Sequence, residues 1–120
     1  MPGSHACTKR FIDLPLSCLH IMEAGQGPLL IMLPATISEI DDYQTMLQFM
    51  SQWFRVVFFE LPGHGSSSPF PQKFSSFLVA ELVGQLVDAL GYERFNLMGF
   101  SFGGILAMRT YFHLSNRIDR

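Results

Sequence analysis

Leu97-Met98-Gly99-Phe100-Ser101-Phe102-Gly103-Gly104 is the stretch whose reading decides the fold of this chain. A short apolar run, residues 94–98 (RFNLM), leads into it as a strand, and a helical pattern from Phe102 to Leu114 leads out. Ser101 therefore stands at the tip of a strand-to-helix turn, with glycine two residues before it and two after. A turn that tight presses those two positions together, where a side chain would clash, so Gly99 and Gly103 are expected to be steric requirements. Gly104 is expected to let the helix approach the neighbouring strand. The serine itself must take up an unfavourable backbone conformation, at a cost on the order of 1–3 kcal/mol that the rest of the fold must supply.

Working back from the turn, Leu78, Val79, Leu82, Val83, Leu86, Val87 and Leu90 form one stripe of a helix whose other side carries Glu81, Gln85 and Asp88. Ser75 or Ser76 caps its start and Gly91 its end. Residues 55–61 (RVVFFEL) and Leu29–Leu33 (LLIML) are apolar on consecutive positions, as strands buried on both faces are. Between them Tyr43, Met46, Leu47 and Met50 recur at helical spacing behind Asp41 and Asp42, which suit the positive end of a helix dipole. Residues 10–14 and 19–23 read as two further strands joined by a bend at Pro15, and residues 1–8 as a loose terminus. Strands alternating with helices in this way predict an α/β fold, a mostly parallel sheet with helices on both faces.

Composition narrows the classes. Hydrophobic residues make up 48% and charged residues 15%, against roughly 25% charged in an ordinary soluble domain. That is too apolar for a disordered chain, and too poor in Glu and Lys for a coiled coil. With a net charge of −2 there is no basic excess for nucleic acid. No apolar run reaches the roughly 20 residues of a membrane span or the 7–15 of a signal-peptide core. Cys7 and Cys18 fit neither a disulfide framework nor zinc-ligand spacing, and read as reduced thiols of a cytoplasmic protein.

In context, Gly99-Phe100-Ser101-Phe102-Gly103 has the spacing of a nucleophile elbow. Together with LHIMEAGQGPLLIML upstream and FFELPGHGSS between, it makes the chain resemble the α/β-hydrolase superfamily from about Leu19 to Arg120. The resemblance implies a strand order 1-2-4-3-5 and a serine hydrolase acting on a small or lipophilic acyl substrate, with no cofactor and no metal. It implies that Ser101 is the nucleophile and that the Phe102 backbone N–H is one donor of the oxyanion hole. The second donor comes in that family from the loop after the third strand, where Leu33-Pro34-Ala35-Thr36 here replaces the usual Leu-His-Gly-x, and Thr36 N–H is the best match. Acyl transfer uses the same elbow, and the altered loop also suits a non-catalytic binding or scaffold protein.

A serine hydroxyl needs a general base, and that base an orienting acid. In α/β-hydrolases both follow the elbow in the order acid, then histidine. His113 is 12 positions on along the same helix, which at 1.5 Å per residue puts it roughly 18 Å away, and it reads as a helix-surface or core residue. His64 lies in the loop after the fourth strand, separated from the elbow by the third, and is expected to order that loop. His20 reads as a half-buried strand residue and His5 as terminal; Glu93 and Asp119 have no claim on any of them. Residues 116–120 look like the lead-in to a sixth strand. The expectation is a single partial domain over 1–120, truncated after the fifth strand and its helix, inactive by itself and open to self-association through the exposed sheet edge.

Overall fold

The computed structural model describes residues 6–35 and 39–120. Its strands are β1 (Thr8–Asp13), β2 (Cys18–Ala24), β3 (Leu29–Leu33), β4 (Arg55–Phe59) and β5 (Asn96–Gly99); its helices are α1 (Gln44–Met50), α2 (Ser76–Ala89) and α3 (Phe102–Leu114). The sheet runs β1-β2-β4-β3-β5, the expected order. β2 pairs antiparallel with both β1 and β4, whereas β3 pairs parallel with β4 and β5. The sheet is thus mixed, with β2 alone running against the other four. A bend at Pro15 lets β1 and β2 form an antiparallel hairpin and a short turn over residues 25–28 reverses the chain again into β3, while the parallel steps from β3 to β4 and from β4 to β5 need long crossovers.

β3 shows why the chain is so apolar. All five of its residues are buried, and because successive side chains point to opposite faces they feed two cores. Leu29, Ile31 and Leu33 join Val57, Phe59 and the inner faces of α2 and α3, whereas Leu30 and Met32 join Val56, Phe58, Tyr43 and Leu47 on the α1 side. Helices therefore cover both faces, as predicted. The side chain of Ser75 caps α2 by accepting from Leu78 N–H at 3.1 Å, and the turn at Gly91 follows with φ +84°.

The hairpin end is tied by charge. Burial pushes the Glu23 carboxyl up, but hydrogen bonds from Arg10 and Arg55 and their positive charges outweigh it and hold the group below its ordinary value. The same hydrogen bond raises Arg55. Several strand boundaries differ from the sequence reading. β1 begins at Thr8, inside what reads as a loose terminus, because residues 8–13 find a full ladder on β2. β4 stops at Phe59, where Glu60 turns its carboxylate to the following loop. β5 starts at Asn96 and extends to Gly99.

Residues 117–120 make an isolated parallel bridge, Ile118 with Phe95, beside the start of β5. Phe95 N–H donates to Arg117 O at 2.9 Å, Asp119 N–H to Phe95 O at 2.9 Å and Leu97 N–H to Arg120 O at 2.7 Å. Next to this edge the outward face of α3 is apolar: Ile105, Met108, Tyr111 and Phe112 are all exposed. This is where the low charge of the chain shows on the surface rather than in the core.

Candidate active site

β5 delivers the chain to Ser101 and α3 takes it away. Ser101 has φ +53° and ψ −115°, and among the described residues no other residue except glycine has positive φ. A side chain rarely adopts this conformation, and its persistence signals a turn imposed by the surrounding fold. Ser101 occupies the N-cap position of α3 yet makes no capping hydrogen bond with its side chain, and it is exposed. Its hydroxyl is therefore not consumed by the helix it begins.

The glycines divide the work unevenly. A Cβ on Gly99 would lie 2.2 Å from Gly103 O and 2.7 Å from Gly104 N, so the turn closes on itself as expected. A Cβ on Gly103 would lie 2.5 Å from both Leu33 O and Pro34 O. The close approach between helix and neighbouring strand thus belongs to Gly103. Gly104, expected to provide it, has nothing nearer to an added Cβ than Gly99 O at 3.9 Å. The reason is angular: successive helix positions differ by about 100°, and only Gly103 faces β3.

Gly103 N–H donates to Phe100 O and Gly104 N–H to Ser101 O, both at 2.8 Å, while Phe100 N–H donates to Leu33 O at 3.2 Å. Phe102 opens the helix, where an N–H has no partner within the helix, and its side chain packs on the α2 side of the core. Opposite the elbow, the chain leaving β3 passes through Pro34, which has no N–H, to Ala35, whose N–H donates to the Tyr43 hydroxyl at 2.8 Å. Tyr43 stacks on Phe58 at 4.3 Å and tilts against Phe100 at 5.3 Å. Thr36, the matched second donor, lies outside the described residues, as does His5.

The other histidines are occupied elsewhere. His20 Nδ1 lies 2.7 Å from Glu60 Oε1, which also accepts from Ser66 N–H at 3.0 Å. His64 Nδ1 lies 3.1 Å from Pro62 O in its own turn, and the ring meets Phe74 edge-on. The His113 ring meets Phe77 edge-on on the far side of α3. Asp119 pairs with Arg94. The His20–Glu60 pair escapes sequence reasoning, although a carboxylate closing a buried strand is itself a sign that a partner waits there. A cleft of about 490 Å³ opens between the two loops, lined by Pro34, Ala35, Glu39, Asp42, Glu60 and His64 among others; Ser101 stands outside it.

Residues 28–120 match the family model described as alpha/beta hydrolase fold. The chain belongs to this family. It is 32% identical over 113 residues to the 2-hydroxy-6-oxo-6-phenylhexa-2,4-dienoate hydrolase of Comamonas testosteroni, a match covering 90% of this chain and 40% of that protein. It is 26% identical over 108 residues to the pimeloyl-[acyl-carrier protein] methyl ester esterase of Nitrosomonas europaea, covering 88% and 40%. Among solved structures, the naproxen esterase (carboxylesterase NP) of Bacillus subtilis superimposes with a TM-score of 0.87 at 20% identity, over 95% of this chain and 41% of that one. The chain spans about 40% of the length of these relatives. The last likeness shows the fold; the first two show that its sequence relatives are hydrolases. Among the described residues no helix is long and apolar enough to cross a membrane.

Proposed function

We propose that the 120 residues are one partial domain carrying the nucleophile of a serine hydrolase for small or lipophilic esters, thioesters or related acyl compounds. The observation that carries this reading is the strained, exposed Ser101 at positive φ on an elbow whose Gly99 and Gly103 cannot be enlarged. In the first step Ser101 Oγ attacks the acyl carbon as its proton passes to a general base. The oxyanion that forms accepts a hydrogen bond from Phe102 N–H, with Thr36 N–H as the matched second donor, each such donor contributing about 3–4 kcal/mol to the transition state. Collapse expels the alcohol or thiol, and water then releases the acid from the acyl-serine. An acceptor other than water would make the same site an acyltransferase.

None of the described histidines hydrogen-bonds to Ser101, so in this reading base and acid come from polypeptide outside these 120 residues, and the isolated chain does not turn over. The two unpaired cysteines support a reducing, cytoplasmic setting. The open edge at residues 117–120, beside the apolar face of α3, supports self-association when nothing else covers it.

A second reading, a binding or scaffold protein on the same fold, is favoured by one observation: Ala35 N–H, in the loop that should supply an oxyanion donor, is held by Tyr43. A fluorophosphonate probe decides between them. Labelling at Ser101 that disappears in Ser101→Ala supports the nucleophile. Absence of labelling, in this chain and in any longer product of its gene, refutes it.

A further inference from the structure

Tyr43 stands out as a polar side chain that links the chain leaving β3 to the serine turn just beyond the last β3–β5 pair, Leu33 with Gly99. Its hydroxyl accepts from Ala35 N–H at 2.8 Å, its ring stacks on Phe58 at 4.3 Å and an interplanar angle of 24°, and the same ring tilts against Phe100 at 5.3 Å. Phe100 immediately precedes Ser101, and Ala35 immediately precedes the position matched to the second oxyanion donor. Pro34 has no N–H to give, so Ala35 carries the first amide after β3 through which the loop can be anchored. Tyr43 is 9% exposed and its ring lies against Phe58, itself 1% exposed, so packing restrains the hydroxyl. A buried tyrosine hydroxyl that meets a main-chain amide fixes that peptide plane.

We infer that Tyr43 is a positioning residue of this site, setting the orientation of the chain leaving β3 relative to the serine turn through its hydroxyl on Ala35 N–H and its ring against Phe100. The inference rests on the serine-nucleophile reading above. It adds that the site depends on a hydroxyl on α1's side of the sheet that touches neither substrate nor Ser101. A purely structural tyrosine would act through its ring, which Tyr43→Phe keeps; a positioning tyrosine acts through its oxygen, which Tyr43→Phe removes.

The test uses a longer product of the gene that carries the general base and acid, with a fluorophosphonate as the probe of Ser101 and amide hydrogen exchange as the probe of the loop. In Tyr43→Phe, exchange at Ala35 should accelerate tenfold or more. The maximal rate of Ser101 labelling should fall tenfold or more, with the concentration for half-maximal rate unchanged and the cooperative melt retained. Tyr43→Trp, which fills the ring site but cannot accept, should behave like Tyr43→Phe and guards against a folding defect peculiar to either. Unchanged exchange and labelling in both variants overturn the inference. Faster exchange with unchanged labelling also overturns it, leaving Tyr43 a structural contact only. If neither this chain nor the longer product shows labelling that Ser101→Ala removes, the nucleophile reading fails first and the positioning role falls with it.

Discussion

Replacing Gly99 by alanine adds one methyl group at the point where the serine turn closes on itself. That methyl would stand 2.2 Å from Gly103 O, 2.5 Å from Gly103 C and 2.7 Å from Gly104 N. All three are main-chain atoms, so no flexible side chain can move aside. Gly103 is itself pinned, since it packs against Leu33 O and Pro34 O, and relief would require β3 or α3 to shift. Overpacking of this kind costs about 3 kcal/mol, the upper part of the usual range. Gly104→Ala is the internal control: its Cβ meets nothing within 3.9 Å, and exchanging glycine for alanine inside a helix gains up to about 1 kcal/mol. The two variants should therefore differ by about 4 kcal/mol, or about 12–16 °C in midpoint for a chain of this size. Urea unfolding followed by circular dichroism at the helix band measures the difference. Gly99→Ala within about 0.5 kcal/mol of the parent, the range of a neutral surface change, would refute the reasoning, as would a Gly104→Ala variant no more stable than Gly99→Ala.

Ser101→Gly should stabilise the chain by about 1–3 kcal/mol, because glycine occupies positive φ without strain, whereas Ser101→Ala keeps the strain and should leave stability nearly unchanged; a melt in which the two variants coincide rejects the strain. Phe95 is 1% exposed, and Phe95→Ala should cost about 3–5 kcal/mol through the cavity it leaves, measurable by the same urea titration. Acid should weaken the hairpin end: the folded Glu23 carboxyl lies below its ordinary value of 4.5, so its stabilising contribution is full above that pH and is lost as pH falls through the folded value. Glu23→Gln should therefore be less stable than the parent at neutral pH and lose less on acidification, and parallel stability–pH curves would exclude this. Phe112, 75% exposed at the end of the apolar face of α3, can be changed to Asp within about 0.5 kcal/mol of parental stability, and the change should lower binding of a hydrophobic dye; unchanged dye binding would mean that this face is not the exposed apolar surface.

The amino-acid sequence by itself determined the order of the elements, because each is written locally. Consecutive apolar residues in Leu29–Leu33, the seven-residue stripe of α2 behind a serine cap at 75 or 76, and the glycine spacing around Ser101 are statements about neighbours a few positions apart. The elbow was legible for the same reason: its steric demand lies within five residues. What only the tertiary structure decided is who meets whom across the sheet. That Gly103 rather than Gly104 touches β3, that Tyr43 reaches Ala35, and that His20 belongs to Glu60 forty residues away all depend on strand register and helix rotation. Register and rotation are set by the simultaneous packing of two cores on one sheet, and no local pattern encodes the atom-to-atom distances that result.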